Sequence, residues 1–260
     1  MESDQYRSAT PGETTCRDEL KALFYCASLL LGNWPKNFIA DCVFIPGLAV
    51  DNWQEDEDDD GILSTAAALY QQATNAPFRG GARTVVIPRY VGSMPQGRGG
   101  VPSPTGYPGG AVWTAELRRL DVPADAIVFY SCDDVGPDGK SWNTRTEADA
   151  FVGVARARDW TSAVVLATPF HLLRVLCTIV QALSDARYRL RLFPVTPRSV
   201  SWTKAVYHSQ GVERLPRFEH IGRERERMPR YREQGSLCSF GHLATYLLKT
   251  LGDDALAPVR

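Results

Sequence analysis

Short apolar runs alternate with longer segments of helical periodicity along most of this chain. Each apolar run is bounded by turn residues, which is typical of a buried strand. The predicted strands are 41–45, 84–87, 126–130, 162–167 and 188–193. The predicted helices are 16–31, 62–72, 112–120, 144–156, 169–183 and 237–251.

Strands that alternate with helices at this spacing form right-handed βαβ units with parallel neighbouring strands. The predicted fold is therefore a three-layer, Rossmann-like α/β sandwich with a mainly parallel sheet of about five strands. We expect a disordered N-terminus over 1–15 and a single domain over 16–260. Charges of both signs at about 198–236 favour a solvated excursion from that domain over a surface for nucleic acid.

Composition and charge exclude several classes of protein. A net charge of −1 gives no general attraction to nucleic acid or to an anionic membrane. The polar N-terminus does not resemble a signal peptide, and the most apolar stretch, 22–31, is too short to span a bilayer. The six cysteines are scattered and the four histidines lack zinc-ligand spacing, so we expect a soluble, cytoplasmic protein with reduced thiols and no structural zinc site. We assign no residue as a metal ligand.

Two polar segments have more than one interpretation. The segment 88–110 is rich in glycine and proline, and a loop of that length is usually functional or mobile. It lacks the strand and helix context of a dinucleotide fingerprint. The acidic run 55–60 would attract Mg²⁺, but a solvated loop is favoured because metal sites need spaced ligands.

Polar residues follow two of the predicted strands at the edge where ligands bind to parallel sheets. Asn143–Thr144 and Thr168–His171 both lie beyond the carboxyl end of a strand, and both open a helix. Two helix N-termini at one edge direct unpaired N–H groups and positive dipole ends into the same crevice. This arrangement suits an anionic or phosphorylated ligand.

The residues of these helix starts have both catalytic and structural interpretations. His171 and Arg174 share a helix face, so His171 would exchange a proton while Arg174 neutralises the ligand. Thr144 and Glu147 also fit a capping box, and Thr168 before a proline fits a helix cap. A lone histidine at a helix start is often structural, and Arg174 would equally pair with a carboxylate.

The same residues resemble a known family signature. Ser141-x-Asn-Thr-x-x-x-Ala148, a strand ending at Thr168, and Phe170-His-Leu-x-Arg174 are similar to the paired motifs of the YdcF/SanA/ElyC-like family. Those motifs are roughly S-x-N-T-x-E-N-A and V-T-S-x-[YF]-H-x-x-R-A. The resemblance extends over about 17–195. It includes the first strand with its turn at Gly47, and it departs in a longer, more acidic loop at 132–140.

The resemblance and the helix starts together imply an enzyme that transfers or hydrolyses a phosphate or activated group of a small molecule. His171, Arg174 and Glu147 are the catalytic candidates. The ligand-binding candidates are Gly47, Asp134, Ser141, Trp142, Asn143, Thr144 and Thr168. Trp142 would stack on a ligand ring or pack at the rim, and Asp134 is a reserve base or metal contact.

The ligand class has alternatives as well. A nucleotide-like molecule, S-adenosylmethionine and a divalent cation are the cofactor candidates, and we expect no nucleic-acid or membrane partner. The second hypothesis is a non-catalytic metabolite-binding or accessory protein that uses the same crevice. A third is an interaction protein acting through 88–110 and 198–234.

Overall fold

The structure, a computed structural model, describes residues 38–49, 60–75, 80–89, 107–131, 143–208 and 213–251. The predictions for the N-terminus at 1–15 and for the helix at 16–31 lie outside these residues. So do most of the acidic run, most of the segment 88–110 and the loop at 132–140.

Five strands form a central sheet in which every neighbouring pair is parallel. Two short strands, β1 and β3, pair in parallel just before β2 and β4. The strands are β1 (Ile39–Ala40), β2 (Cys42–Phe44), β3 (Gly81–Ala82), β4 (Val85–Pro88), β5 (Ile127–Tyr130), β6 (Ser162–Leu166) and β7 (Arg191–Val195). The order across the central sheet is β5-β4-β2-β6-β7.

Helices cover both faces of this sheet. They are α1 (Ile62–Asn75), α2 (Gly110–Arg119), α3 (Thr144–Ala157), α4 (Pro169–Asp185), α5 (Arg217–Glu233) and α6 (Phe240–Leu251). α1 packs with α2, and α3 packs with α4. Since the two pairs belong to crossovers that run in opposite directions, right-handed connections place them on opposite faces. The predicted three-layer, Rossmann-like fold is confirmed.

The direction of the chain across the sheet reverses at β2. The chain first steps outward to β4 and β5, and it then returns to the other side for β6 and β7. In open α/β sheets the ligand crevice opens beyond the carboxyl ends of the strands at such a switch point, here between β2 and β6. Gly47 follows β2 and Thr168 follows β6, so both lie at this switch point.

Three helices end in the same way, at a non-glycine residue whose backbone is in the left-handed conformation. These residues are Asp121 (φ 61°), Asp159 (φ 51°) and Arg187 (φ 48°). After α4 the N–H of Tyr188 donates to the carbonyl of Leu183 at 3.0 Å, and equivalent bonds close α2 and α3. This is the Schellman motif, which usually takes glycine at the left-handed position. It explains why β7 begins at Arg191 and not at the predicted position 188.

The segment predicted as a solvated excursion is a hairpin followed by a helix. β8 (Ala205–Tyr207) and β9 (Arg214–Pro216) pair antiparallel, and α5 then packs against α4. The prediction is wrong for one face of α5, where His220, Glu224 and Met228 are buried. Their spacing of four residues places them on one helical stripe. In the described residues no helix has the length and apolar character needed to cross a membrane.

Candidate functional site

The N-terminus of α3 is capped one residue earlier than the sequence pattern indicates. The Asn143 side chain accepts the N–H groups of Arg145 at 2.8 Å and Thr146 at 3.1 Å. In return the Thr146 hydroxyl accepts the N–H of Asn143 at 3.1 Å, which completes a capping box. The predicted capping box of Thr144 and Glu147 is therefore wrong, because Asn143 takes the cap position with extended backbone and Thr144 is already helical.

Glu147 instead turns into the protein interior. Its Oε1 accepts the N–H of Gly47 at 2.8 Å, and the Tyr130 hydroxyl lies 3.5 Å from the same oxygen. The side chain is buried, with 5% of the residue exposed. The carboxyl group thus connects α3 to the turn after β2 and to the end of β5. Gly47, predicted to bind a ligand, donates its N–H to Glu147.

Burial is the main influence on the acidity of Glu147. It raises the pKa of Glu147 from 4.5 to about 7, although the Gly47 N–H, the charge of Arg174 and the Tyr130 hydroxyl act in the opposite direction. A carboxyl group with this pKa exchanges a proton near neutral pH, as a general acid or base must.

The start of α4 contains buried polar atoms without a partner in the part of the chain that the structure describes. Thr168 occupies the cap position, but its side chain makes no capping hydrogen bond, and Oγ1 is buried without a partner. Nδ1 of His171 is buried and unpaired in the same way, while Nε2 lies 3.5 Å from the Thr144 hydroxyl. A buried polar atom left unpaired costs about 1–3 kcal/mol, so each such atom calls for a physical explanation.

Arg174 is held by a buried carboxylate, as one of the two interpretations of this residue predicted. Nε donates to Oε2 of Glu224 at 2.5 Å, and Nη2 donates to Oε1 at 3.2 Å. Nη1 donates to the Thr144 hydroxyl, and the guanidinium lies over the ring of Tyr231. The structure therefore brings Thr144, His171 and Arg174 together. The charge of Arg174 is already compensated by Glu224.

Glu224 and His208 are the site residues that the sequence analysis missed. Burial favours a higher pKa for Glu224, but the charge of Arg174 and the hydrogen bond from His208 outweigh it and hold the pKa well below its usual range. The detectable signal was the apolar and polar stripe of His220, Glu224 and Met228 in a segment dominated by charge.

His208 connects Glu224 to a second arginine. Burial lowers the pKa of His208 below its usual value, so the imidazole is neutral near pH 7. Nε2 lies 2.6 Å from Oε1 of Glu224, and its proton bonds that carboxylate. Nη1 of Arg227 lies 3.2 Å from Nδ1 and 2.6 Å from Nε2. Only Nδ1 has a lone pair for Arg227 in this tautomer.

We call Thr144, Glu147, His171, Arg174, His208 and Glu224 the buried cluster. It lies where α3, α4 and α5 meet beside the switch point of the sheet. Burial, followed by the charge of Arg174, lowers the pKa of His171 well below its usual value, so this imidazole is neutral as well. Within the described residues, no group of histidine, cysteine, aspartate or glutamate side chains is arranged to hold a metal ion.

Three predicted ligand contacts, Asp134, Ser141 and Trp142, lie outside the described residues. Asn143 is exposed, and its side-chain oxygen is engaged in capping α3. A separate surface groove of about 430 Å³ lies between α5 and the start of α6, lined by Gly222, Arg225, Glu226, Met228, Pro229, Arg232 and Phe240. It contains no residue of the buried cluster.

No family model, no curated protein and no solved structure matches this chain. The resemblance to the YdcF-like family thus stays a prediction from the motif residues.

Proposed function

We propose that this chain is a YdcF-like α/β enzyme that binds a phosphorylated or nucleotide-like small molecule at the carboxyl edge of its sheet. The proposed reaction is transfer or hydrolysis of the phosphate or activated group. The observation that carries the proposal is a pair of buried polar atoms at the start of α4, Thr168 Oγ1 and His171 Nδ1, that have no hydrogen-bond partner among the described residues. Both belong to the helix that follows β6 at the switch point.

Hydrogen bonds within the cluster favour a donor role for His171. The Thr144 hydroxyl accepts from Arg174, so its own proton is available to Nε2 of His171. A neutral imidazole that accepts at Nε2 carries its proton on Nδ1. The N–H of Nδ1 and the hydroxyl of Thr168 are then two donors at a helix N-terminus, where a ligand oxyanion is stabilised by the dipole.

Glu147 supplies the proton exchange that a transfer or hydrolysis step needs. It lies one turn after Thr144 on α3 and has a pKa of about 7. A general acid or base works best when its pKa is near the working pH. Arg174 is a positioning residue in this proposal, because Glu224 compensates its charge while its Nη1 bonds Thr144.

A thermal-shift screen against nucleotides, S-adenosylmethionine, sugar phosphates and divalent ions tests the proposal. We expect a phosphorylated compound to raise the melting temperature of the wild type, since a ligand that binds only the folded state stabilises it. Thr168→Val removes only the hydroxyl and should reduce this shift. Thr245→Val, an exposed position on α6, is the matched control and should leave it unchanged.

A metabolite that shifts the melting temperature then enters a turnover assay with the wild type and Glu147→Gln, which removes the proton-exchanging carboxyl group. Loss of turnover in Glu147→Gln with retained binding supports an enzyme. Binding without turnover in the wild type contradicts catalysis and leaves the non-catalytic binding protein. The whole proposal is wrong if no phosphorylated compound shifts the melting temperature.

A further inference from the structure

Arg227 is an arginine of α5 whose position the proposed function does not explain. It lies three residues after Glu224 on α5 and is half-buried. Its Nη1 contacts the ring of His208, and among the described residues it forms no ion pair with a carboxylate. Arg223 on the outer side of the same helix differs, because it pairs with Glu213 at 3.0 Å and with Glu226 at 3.6 Å.

Among the described residues, the charges around the cluster do not sum to zero when Glu147 is protonated. Arg174 and Glu224 compensate each other through two hydrogen bonds. His208 is neutral and therefore orients Arg227 without cancelling its charge. Among the described residues, the guanidinium of Arg227 therefore has no carboxylate of its own, because Glu224 already pairs with Arg174. A partly desolvated cation attracts an anion more strongly than an exposed one.

Ring contacts connect Arg227 to the start of α4. Nη1 of Arg227 contacts His208, the His208 ring lies 5.6 Å from the ring of His220, and His220 lies 4.9 Å from the ring of Phe170 on α4. After burial, the charge of Arg227 is also among the causes of the low pKa of His171. Arg227 is only half-buried, so a ligand is able to reach it, whereas His208, which contacts it, is nearly inaccessible. A ligand at the start of α4 would thus encounter a cation that is oriented in advance by His208.

We propose that Arg227 is the cation that binds the phosphate-type anionic group of the ligand. This inference rests on the proposed function and deepens it by naming the residue that neutralises the ligand. A guanidinium suits the task because its planar donors bind two oxygens of a phosphate at once. The assignment moves this role from Arg174, as expected from the sequence, to an arginine on α5.

Isothermal titration with inorganic phosphate, pyrophosphate and AMP tests the assignment. The proteins are the wild type, Arg227→Gln, Arg227→Lys and Arg230→Gln. Arg230 is exposed on the same helix and serves as the matched control. We expect the wild type to bind at least one probe and Arg227→Gln to bind it at least roughly tenfold more weakly, the loss expected for one hydrogen-bonded charge contact. Arg230→Gln should bind as the wild type does.

Arg227→Lys keeps the charge but loses the planar set of donors, so we expect an intermediate affinity. If Arg227→Gln does not fold, Arg227→Lys takes its place in the comparison. Weaker binding of the probe by folded Arg227→Lys than by the wild type then supports the assignment. Equal binding by the wild type and the folded Arg227 variants overturns the assignment of Arg227 and leaves the proposed function standing. An equal loss of affinity in Arg230→Gln also overturns the assignment, since the effect would then be a general electrostatic attraction between the helix and the anion. If the wild type binds none of the three probes, the assignment of Arg227 is wrong, while the proposed function is decided by the wider thermal-shift screen.

Discussion

Glu147 and Glu224 are both buried in the same cluster, yet their surroundings shift their pKa values in opposite directions. Glu224 forms two hydrogen bonds with Arg174 and a third with His208, and its pKa is held low. Glu147 has the backbone N–H of Gly47 and a distant hydroxyl, and its pKa rises to about 7. Burial is common to both, so the difference comes from the charge of the partner.

The two carboxyl groups are therefore suited to different roles, one structural and one in proton exchange. A carboxylate that stays ionised holds Arg174, and through it the start of α3 is fixed against α4 and α5. A carboxyl group with a pKa near the working pH is able to exchange a proton. Two titratable groups whose environments move their pKa values apart are a recurrent arrangement in acid and base catalysis.

The largest effect should come from breaking the ion pair of Glu224. Glu224→Leu leaves the buried charge of Arg174 without a counterion, and we expect the free energy of unfolding to fall by roughly 3–5 kcal/mol. Urea denaturation at pH 7 measures it. The matched control is Glu226→Leu on the exposed side of α5, which should change stability by less than about 0.5 kcal/mol. A similar small change in both variants would mean that the ion pair is unimportant for stability.

The next effect depends on pH and distinguishes Glu147 from Glu224. Glu147 has a folded pKa of about 7 against 4.5 in the unfolded chain, so it favours folding below pH 4.5, and this stability is lost as pH rises through about 7. Glu147→Gln mimics the protonated form. We expect equal stability of the variant and the wild type near pH 4.5, and a variant more stable by about 3 kcal/mol at pH 8.

Urea denaturation of both proteins from pH 4.5 to pH 8 measures this difference. Subtracting the two curves removes the contribution of the histidines, which both proteins share. A difference that does not change with pH would show that folding leaves the pKa of Glu147 unshifted.

The smallest effect should come from Tyr130. Tyr130→Phe removes the hydroxyl 3.5 Å from Glu147, a contact that lowers the pKa of the carboxyl. We expect the pKa of Glu147 to rise further and stability at pH 8 to fall by less than about 1 kcal/mol. The carboxyl carbon signal of Glu147, followed by NMR against pH, reports the midpoint. Tyr70→Phe on α1 is the control, and a midpoint that moves equally in both variants would argue against the contact.

The fold was predictable because each buried strand is a short apolar run between helical segments. The meeting of Thr144, His171 and Arg174 was predictable too, since both helix starts follow strands at one edge of a parallel sheet. The role of Glu147 was not predictable from the sequence. Asn143 with Thr146 and Thr144 with Glu147 both fit a capping box, and only the second would use Glu147 as a helix cap. Glu224 was hidden among exposed charges, and only packing against α4 distinguishes it from its neighbours.

The residues with left-handed backbone at the ends of α2, α3 and α4 affect how well the protein tolerates destabilising substitutions. A side chain at such a position is strained by about 1 kcal/mol or more relative to glycine. All three turns lie where β5, β6 and β7 begin, at the edge of the sheet opposite the buried cluster. The protein therefore has room to gain thermal stability far from the buried cluster, and such a gain would allow destabilising changes within the cluster during evolution or engineering.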